Sequence, residues 1–129
     1  MGCLRILIAD DNLLVRCGLR LLIERHEGWC VCGEAGDGLE AVEAAVRLKP
    51  DVILLDISMP NLDGLSALPL LREKVPQSEV IVLTLHECLE MARYAADRGA
   101  QAYVTKSLLW TDLAPAIEEV QAGRDFAKQ

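Results

Sequence analysis

Five short apolar runs alternate along the chain with stretches of helical periodicity. The runs span 4–9, 29–35, 52–55, 80–84 and 102–105, and the helical stretches span about 13–27, 38–48, 64–75, 86–98 and 111–122. Three of the runs are almost continuous Leu, Ile and Val, which is typical of strands buried on both faces. Strands that alternate with helices predict an α/β fold with a five-stranded parallel sheet and helices on both of its faces. A chain of 129 residues fits one such domain.

Composition excludes several classes of partner. The net charge is −7 and the sequence contains no basic run, so direct binding to nucleic acid or to an anionic membrane is not expected. No apolar run approaches the length of a membrane span. We therefore expect a cytoplasmic domain with no membrane association.

The cysteine count is odd. Cys30 and Cys32 should share one strand face, but a metal site there would need two further ligands, and only His26 is near. We expect all the cysteines to be small apolar side chains, reduced in the cytosol, at positions 3, 17, 30, 32 and 88.

Two prolines fall inside predicted helices. Pro69 lies in the third helix and Pro115 in the opening turns of the fifth, so we expect a kink or a delayed helix start at each. A cap at Thr111 would best accommodate Pro115, because only the first backbone hydrogen bond of the helix would then be lost. Gly99 and Gly123 suit the positions that follow helix ends.

Polar residues follow four of the five predicted strands. Asp10, Asp11 and Asn12 follow the first, Asp56 the third, Thr84 ends the fourth, and Lys106 follows the fifth. Ligands of open parallel sheets bind at this carboxyl edge. Taken singly, each residue has an ordinary structural role: a helix cap, a solvated acid, a strand former or a surface lysine. Their coincidence at one edge favours a functional site.

Three carboxylates packed together repel one another by a few kcal/mol per close pair, at an effective dielectric constant of about 20. Such a cluster is stable when it holds a cation, and carboxylates with a carbonyl and waters are the usual ligands of Mg²⁺. One carboxylate can then act as a nucleophile, a lysine can neutralise phosphoryl charge, and a hydroxyl can bind a phosphoryl oxygen. The residue set therefore indicates phosphoryl transfer.

The sequence is similar over its whole length to the receiver domains of two-component response regulators. The similarity covers the aspartate pair, the segment from Asp56 to Pro60, Asp63-Gly64 and the later site positions; those positions are Thr84, Gly99-Ala100, Tyr103 and Lys106. It implies a flavodoxin-like, CheY-like fold with strand order 2-1-3-4-5, and one receiver domain over 1–129.

The resemblance also implies a role for each site residue. Asp56 would be the phosphoacceptor, and the domain would catalyse only its own phosphorylation and dephosphorylation. Asp11, Asp56 and the Ser58 backbone carbonyl would bind Mg²⁺, or Mn²⁺ in its place, with Asp10 contributing through water. Lys106 would contact the phosphoryl group, and Thr84 with Tyr103 would form a switch pair. Ser58 and His86 occupy positions that are thought to tune the phosphoryl lifetime.

The implied partners are a sensor histidine kinase as phosphodonor and a second copy of the chain in a phosphorylation-dependent homodimer. Leu14, Cys17 and Leu21 add apolar surface to the first helix, off its predicted core face. Ser107 stands where the family commonly has proline, as in the NarL/FixJ-like group. Residues 120–123 resemble receivers of that group just before a linker, so we expect an N-terminal piece of a longer regulator with a DNA-binding output domain that controls transcription.

Three other functions fit the residues less well. A haloacid-dehalogenase-like phosphatase needs a second Asp two residues after its nucleophile, but Leu13 follows Asp10-Asp11-Asn12 here. A flavodoxin-like cofactor binder needs a phosphate cradle rich in Gly, Ser and Thr, whereas two aspartates would repel a phosphate. A receiver fold that serves only as an interaction module would not be phosphorylated, and phosphorylation by a small donor distinguishes it from the main hypothesis.

Overall fold

The computed structural model describes residues 2–85 and 88–127. Its five strands form one parallel sheet in the order β2-β1-β3-β4-β5, which confirms the predicted fold class and strand order. The elements are β1 (Leu4–Ala9), α1 (Leu13–Glu24), β2 (Trp29–Ala35), α2 (Gly38–Leu48), β3 (Val52–Asp56), α3 (Gly64–Lys74), β4 (Glu79–Thr84), α4 (Leu89–Asp97), β5 (Ala102–Thr105), a 3₁₀ turn (Lys106–Leu108) and α5 (Leu109–Ala127).

The sheet separates two apolar clusters. One cluster lies under α2, α3 and α4 and includes Leu7, Leu55 and Leu68. The other lies under α1 and α5 and includes Ile8, Leu54 and related side chains. Alternate residues of a strand point to opposite faces, so β1, β3 and β4 contribute to both clusters and are mostly apolar.

Capping contacts and left-handed residues set helix starts and ends. The side chain of Asn12 accepts from the backbone N–H groups of Leu14 and Val15 and so caps α1. Lys49 follows α2 in the left-handed conformation, and Gly99 follows α4 with a φ of 101°. The predicted position of Gly99 after a helix end is confirmed.

The predicted start of α5 was wrong. The 3₁₀ turn leads directly into the helix at Leu109, so Thr111 is an interior residue and its hydroxyl donates to the backbone carbonyl of Leu108. Pro115 is therefore deep enough in the helix to remove a hydrogen bond to the preceding turn. Gly123 also lies within α5 and does not end it. Pro69 lies inside α3, as predicted.

The expectation of five reduced cysteines was wrong for two of them. Cys3 and Cys30 form a disulfide, with a Cα–Cα distance of 6.0 Å. Parallel pairing of β1 with β2 places Leu4 beside Trp29. Cys3 precedes Leu4 and Cys30 follows Trp29, so the pairing brings the two cysteines together. Cys17 and Cys88 are free and exposed, and Cys32 is free and half-buried.

Among residues 2–85 and 88–127, no helix combines the length and the apolar composition needed to cross a membrane.

Candidate functional site

The predicted site residues lie together at the carboxyl edge of the sheet. Asp10 follows β1, Asp56 is the last residue of β3, Thr84 is the last residue of β4, and Lys106 follows β5. The parallel register, which aligns Asp56 with Leu83, brings these strand ends level with one another. The sheet therefore supplies the edge that the sequence predicted.

Three carboxylates converge at this edge. Asp10, Asp11 and Asp56 each offer an oxygen, and these oxygens all lie within 4.8 Å of one another. Asp10 and Asp56 are buried, whereas Asp11 is exposed. The cluster thus has a buried interior and one member that faces solvent.

Lys106 neutralises part of the buried charge. Its Nζ lies 2.6 Å from Oδ2 of Asp10 and 3.2 Å from Oδ2 of Asp56. The side chain of Lys106 is only 11% exposed, so both ion pairs are shielded from solvent. One ammonium therefore serves two buried carboxylates.

Burial, and then the nearby Asp10 carboxylate, raise the pKa of Asp56 to about 6 against the opposing effect of Lys106. Burial alone would lower the pKa of Lys106, but the carboxylates of Asp10 and Asp56 outweigh it and raise that pKa. The lysine therefore stays protonated, while Asp56 titrates close to neutral pH.

The segment between β3 and α3 approaches the carboxylates from the side. The backbone N–H of Ser58 donates to Oδ1 of Asp56 at 3.3 Å. The backbone N–H of Gly64 donates to the carbonyl of Ile57 at 2.8 Å, and a Cβ at Gly64 would lie 2.0 Å from the carbonyl oxygen of Asp56. Only glycine allows α3 to begin this close to the end of β3.

Asp10 is also held by Arg16, a residue that the sequence patterns did not identify as functional. The guanidinium of Arg16 donates to the backbone carbonyl of Asp10 at 2.6 Å and pairs with Glu34 at 3.0 Å. Oδ1 of Asp10 accepts from the backbone N–H of Asn12 at 2.9 Å. The one sequence signal was an arginine one turn after the acidic pair, which is too common a pattern to be diagnostic.

Thr84 and Tyr103 lie on the same face of the sheet. Tyr103 pairs with Val82 across β4 and β5, and Thr84 follows two residues after Val82. Thr84 is buried, and Tyr103 is half-buried against the cluster under α2, α3 and α4. His86 lies outside the described residues.

An open cleft of about 450 Å³ gives access to the site. It is lined by Asp11, Asp56, Ser58, Thr84 and Lys106, with other residues of the same edge. The cleft has room for a phosphoryl group and hydrated ions. Its lining combines carboxylates with one ammonium, which suits a cation and a phosphoryl group together.

The response regulator receiver domain family matches residues 6–118 of the sequence. The chain belongs to this family. Among its relatives, the transcriptional regulatory protein PdtaR of Mycobacterium tuberculosis is 42% identical over 88% of the chain and 55% of its own length. The nitrate/nitrite response regulator protein NarL of Escherichia coli is 37% identical over 92% of the chain and 55% of its own length. The receiver spans about half the length of these curated relatives.

A solved receiver structure is similar in fold. The CheX–CheY–BeF₃–Mg²⁺ complex from Borrelia burgdorferi matches with a TM-score of 0.85 and 25% identity, over 90% of this chain and 87% of that one. The similarities to NarL and to CheY confirm the resemblance inferred from the sequence. They identify the receiver fold. The chemistry of this chain depends on its own residues.

The receiver's residues fit a divalent cation of the Mg²⁺ type. The described cluster offers hard oxygen donors from three carboxylates, and one of these is exposed to solvent. Oxygen ligands of this kind, completed by water, are what Mg²⁺ prefers. Sulfur and imidazole donors are absent from this described cluster, so it does not suit a softer metal.

Proposed function

We propose that this receiver accepts a phosphoryl group on Asp56 from a histidine kinase, in a Mg²⁺-dependent reaction, and thereby controls an output. The observation that carries the proposal is the position of Asp56. Its carboxylate is buried at the end of β3, 3.2 Å from Nζ of Lys106 and within 4.8 Å of two further carboxylates. A carboxylate so placed is both charge-compensated and reachable from the cleft.

In the proposed reaction, an oxygen of Asp56 attacks the phosphorus of a phosphohistidine. An O–P bond forms as the P–N bond breaks, and the imidazole leaves with the bonding electron pair and is protonated by solvent. Asp56 must be ionised to attack, and a pKa of about 6 leaves it mostly ionised at pH 7.5. Lys106 neutralises the transferred group, and the hydroxyl of Thr84 donates to a phosphoryl oxygen.

The proposed cation ligands are the side chains of Asp11 and Asp56 and the backbone carbonyl of Ser58, with Asp10 acting through water. When bound, Mg²⁺ (or Mn²⁺) would offset the carboxylate repulsion and the phosphoryl charge. The Mg²⁺ and BeF₃ named in the Borrelia burgdorferi CheY complex support this assignment. In this chain, the ends of β1 and β3 fix the positions of the aspartates that would bind the cation.

The proposed output is supported by PdtaR, a transcriptional regulatory protein, and NarL, a response regulator, which are both about twice as long as the matched segment. We propose that the receiver occupies the N-terminal part of a longer regulator and acts on a DNA-binding domain. Thr84 and Tyr103 would couple the phosphoryl group to the α4 side of the sheet. The exposed side chains of Leu14, Cys17 and Leu21 on α1 support phosphorylation-dependent homodimerisation.

The test uses intact-mass analysis after incubation with acetyl phosphate and Mg²⁺. We expect one added phosphoryl mass on the native chain, none on Asp56→Asn, and full labelling of a control variant at an exposed acid, Asp97→Asn. Equal labelling of Asp56→Asn, or labelling that is just as fast in EDTA, contradicts the proposal. Absence of labelling on the native chain would instead favour a pure interaction module.

Sedimentation with and without beryllofluoride tests homodimerisation separately. We expect a monomer that associates weakly when beryllofluoride and Mg²⁺ are added. An unchanged monomer in both conditions contradicts dimerisation through this domain alone.

A further inference from the structure

A polar contact outside the carboxylate cluster joins two segments that are far apart in sequence. The side-chain amide of Asn61 donates to Oδ2 of Asp37 at 2.7 Å. Asn61 lies in the segment 57–63 between β3 and α3 and has a φ of 66°, which asparagine tolerates. Asp37 immediately precedes α2. The contact therefore fixes the segment after β3 to the start of α2.

The two oxygens of Asp37 have different partners. Oδ1 accepts from the backbone N–H of Glu40 at 2.8 Å and so caps α2. Oδ2 accepts from the side-chain amide of Asn61. Hydrogen bonds from the backbone of Glu40 and from the Asn61 side chain both hold the pKa of Asp37 below its usual range. The second oxygen is thus committed to the neighbouring segment.

The backbones of the two segments also touch beside this contact. A Cβ at Gly38 would lie 2.0 Å from the carbonyl oxygen of Leu62, so only glycine allows this approach. The two ends of the segment meet where Gly64, which follows residue 63, packs against the carbonyl of Asp56. Residues 57–63 are therefore held where these ends meet and again at Asn61 and Leu62, and Ser58 lies between Asp56 and Asn61.

We infer that Asp37 and Asn61 are positioning residues that hold the segment 57–63 so that the backbone carbonyl of Ser58 stays beside the carboxylate cluster. This inference rests on the proposed function, in which that carbonyl is a cation ligand. Partners outside the ligand set commonly control metal affinity by orienting the ligands. Asp37 and Asn61 touch neither the cation nor the phosphoryl group and act only through the backbone between Asn61 and Ser58.

The test measures Mg²⁺ affinity in variants of this contact. Asn61→Gly keeps the positive φ but removes the amide, and Asn61→Asp sets two carboxylates against each other. We expect the Mg²⁺ concentration at half-saturation to rise roughly tenfold in both variants. Half-saturation is read from thermal melts in a Mg²⁺ titration and from the rate of acetyl phosphate labelling. The labelling rate at saturating Mg²⁺ should change less than about twofold, because the nucleophile and Lys106 are untouched.

The matched control exchanges the two side chains. The double variant Asp37→Asn with Asn61→Asp keeps the net charge, restores a donor–acceptor pair and retains a residue that can cap α2. We expect it to recover most of the native Mg²⁺ affinity, whereas Asn61→Asp alone does not.

Native half-saturation in Asn61→Gly and Asn61→Asp would overturn the inference. A lower labelling rate at saturating Mg²⁺ with unchanged half-saturation would also overturn it, because that pattern indicates a merely structural contact. Failure of the proposed function is distinguishable, since the native chain itself would then go unlabelled. The melts still test the positioning role in that case.

Discussion

The ammonium of Lys106 lies closer to Asp10 than to Asp56, at 2.6 Å against 3.2 Å. If Lys106 paired mainly with Asp56, its distance to Asp56 would be the shorter of the two. Both carboxylates are buried and share the Lys106 ammonium as their counter-ion, so loss of this ammonium would destabilise the folded state. This shared ion pair governs the behaviour of the site before any metal or phosphoryl group is present.

Replacement of Lys106 should destabilise the metal-free protein strongly. Lys106→Met leaves Asp10 and Asp56 buried without a counter-ion, and we expect a loss of roughly 3–5 kcal/mol in unfolding free energy at pH 7.5 in EDTA. The loss should be smaller at pH 5, where one carboxyl can be protonated. Urea denaturation measures both values. Lys74→Met, at an exposed lysine, is the control and should change stability by less than about 1 kcal/mol.

The stability of the metal-free protein should depend on the charge of Asp56. Its pKa is about 6 in the folded state and near 3.9 in the unfolded state, so the folded state binds the proton more tightly. The contribution of this group is fully present below pH 4 and is lost as the pH rises through 6. The expected loss is roughly 2–3 kcal/mol.

Urea denaturation from pH 4.5 to 7.5 in EDTA tests this dependence against Asp56→Asn. The variant should be more stable than the native chain at pH 7.5, and the difference should shrink towards pH 4.5. A difference that stays constant with pH would contradict the raised pKa.

Mg²⁺ should stabilise the native chain by relieving repulsion among the carboxylates. At ten times Kd the expected gain is about 1.4 kcal/mol, or several degrees in Tm. Asp11→Asn should raise the Tm in EDTA and remove most of the Mg²⁺ response. Ca²⁺ should stabilise the native chain less, because it prefers more ligands at longer distances. If 10 mM Mg²⁺ leaves the native Tm unchanged and Asp11→Asn melts lower than the native chain, the cluster is not a cation site.

Gly64 should tolerate no side chain. The added methyl group of Gly64→Ala would meet the backbone carbonyl of Asp56, and we expect a loss of about 1–3 kcal/mol in unfolding free energy. Gly123→Ala is the matched control, since nothing lies within 4 Å of its Cβ position inside α5. This control should gain about 0.5–1 kcal/mol, because alanine replaces glycine within a helix. Equal effects of the two variants would contradict the close approach at Gly64.

Reduction of the Cys3–Cys30 disulfide should lower stability. The bond joins residues 27 apart and encloses β1 and α1, so its removal should cost about 3–4 kcal/mol on the chain-entropy account. The measurement compares urea denaturation with and without a phosphine reductant, in a background that carries Cys17→Ser and Cys88→Ser. Cys32→Ser should leave the difference between the two conditions unchanged. A reductant effect that survives Cys3→Ser would show that another bond is responsible.

The sequence predicted the sheet more accurately than the helix ends. The strands 4–9, 29–35 and 102–105 agree with the structure at both ends. β1 lies inside the sheet as an apolar run that ends at polar residues, whereas β2 and β5 are the two edge strands and are mostly half-buried. The sequence predicts the start of α5 two residues late, because Pro115 favours a cap at Thr111. The 3₁₀ turn at 106–108 carries the chain into the helix earlier, and no local residue signals this turn.

For the site, the strand-end positions of Asp10, Asp56, Thr84 and Lys106 were predictable, because the carboxyl ends of parallel strands share one edge. The roles proposed for them remain predictions. Contacts between distant segments could not be foreseen: Asn61 with Asp37, and Cys3 with Cys30, depend on strand order and register. The repulsion among carboxylates that the sequence indicates accounts for only part of the raised pKa of Asp56, because burial contributes more to it than Asp10 does.

The two apolar clusters lie on opposite faces of the sheet, and the site lies at the edge that joins them. On one side of this edge, Tyr103 packs against the cluster under α2, α3 and α4. On the other side, Lys106 begins the 3₁₀ turn that leads to Trp110, and Trp110 lies beside Gly18 of α1. Val15 of α1 and Met91 of α4 both line the cleft, so a group held at the carboxylates would border the helices of both faces at once.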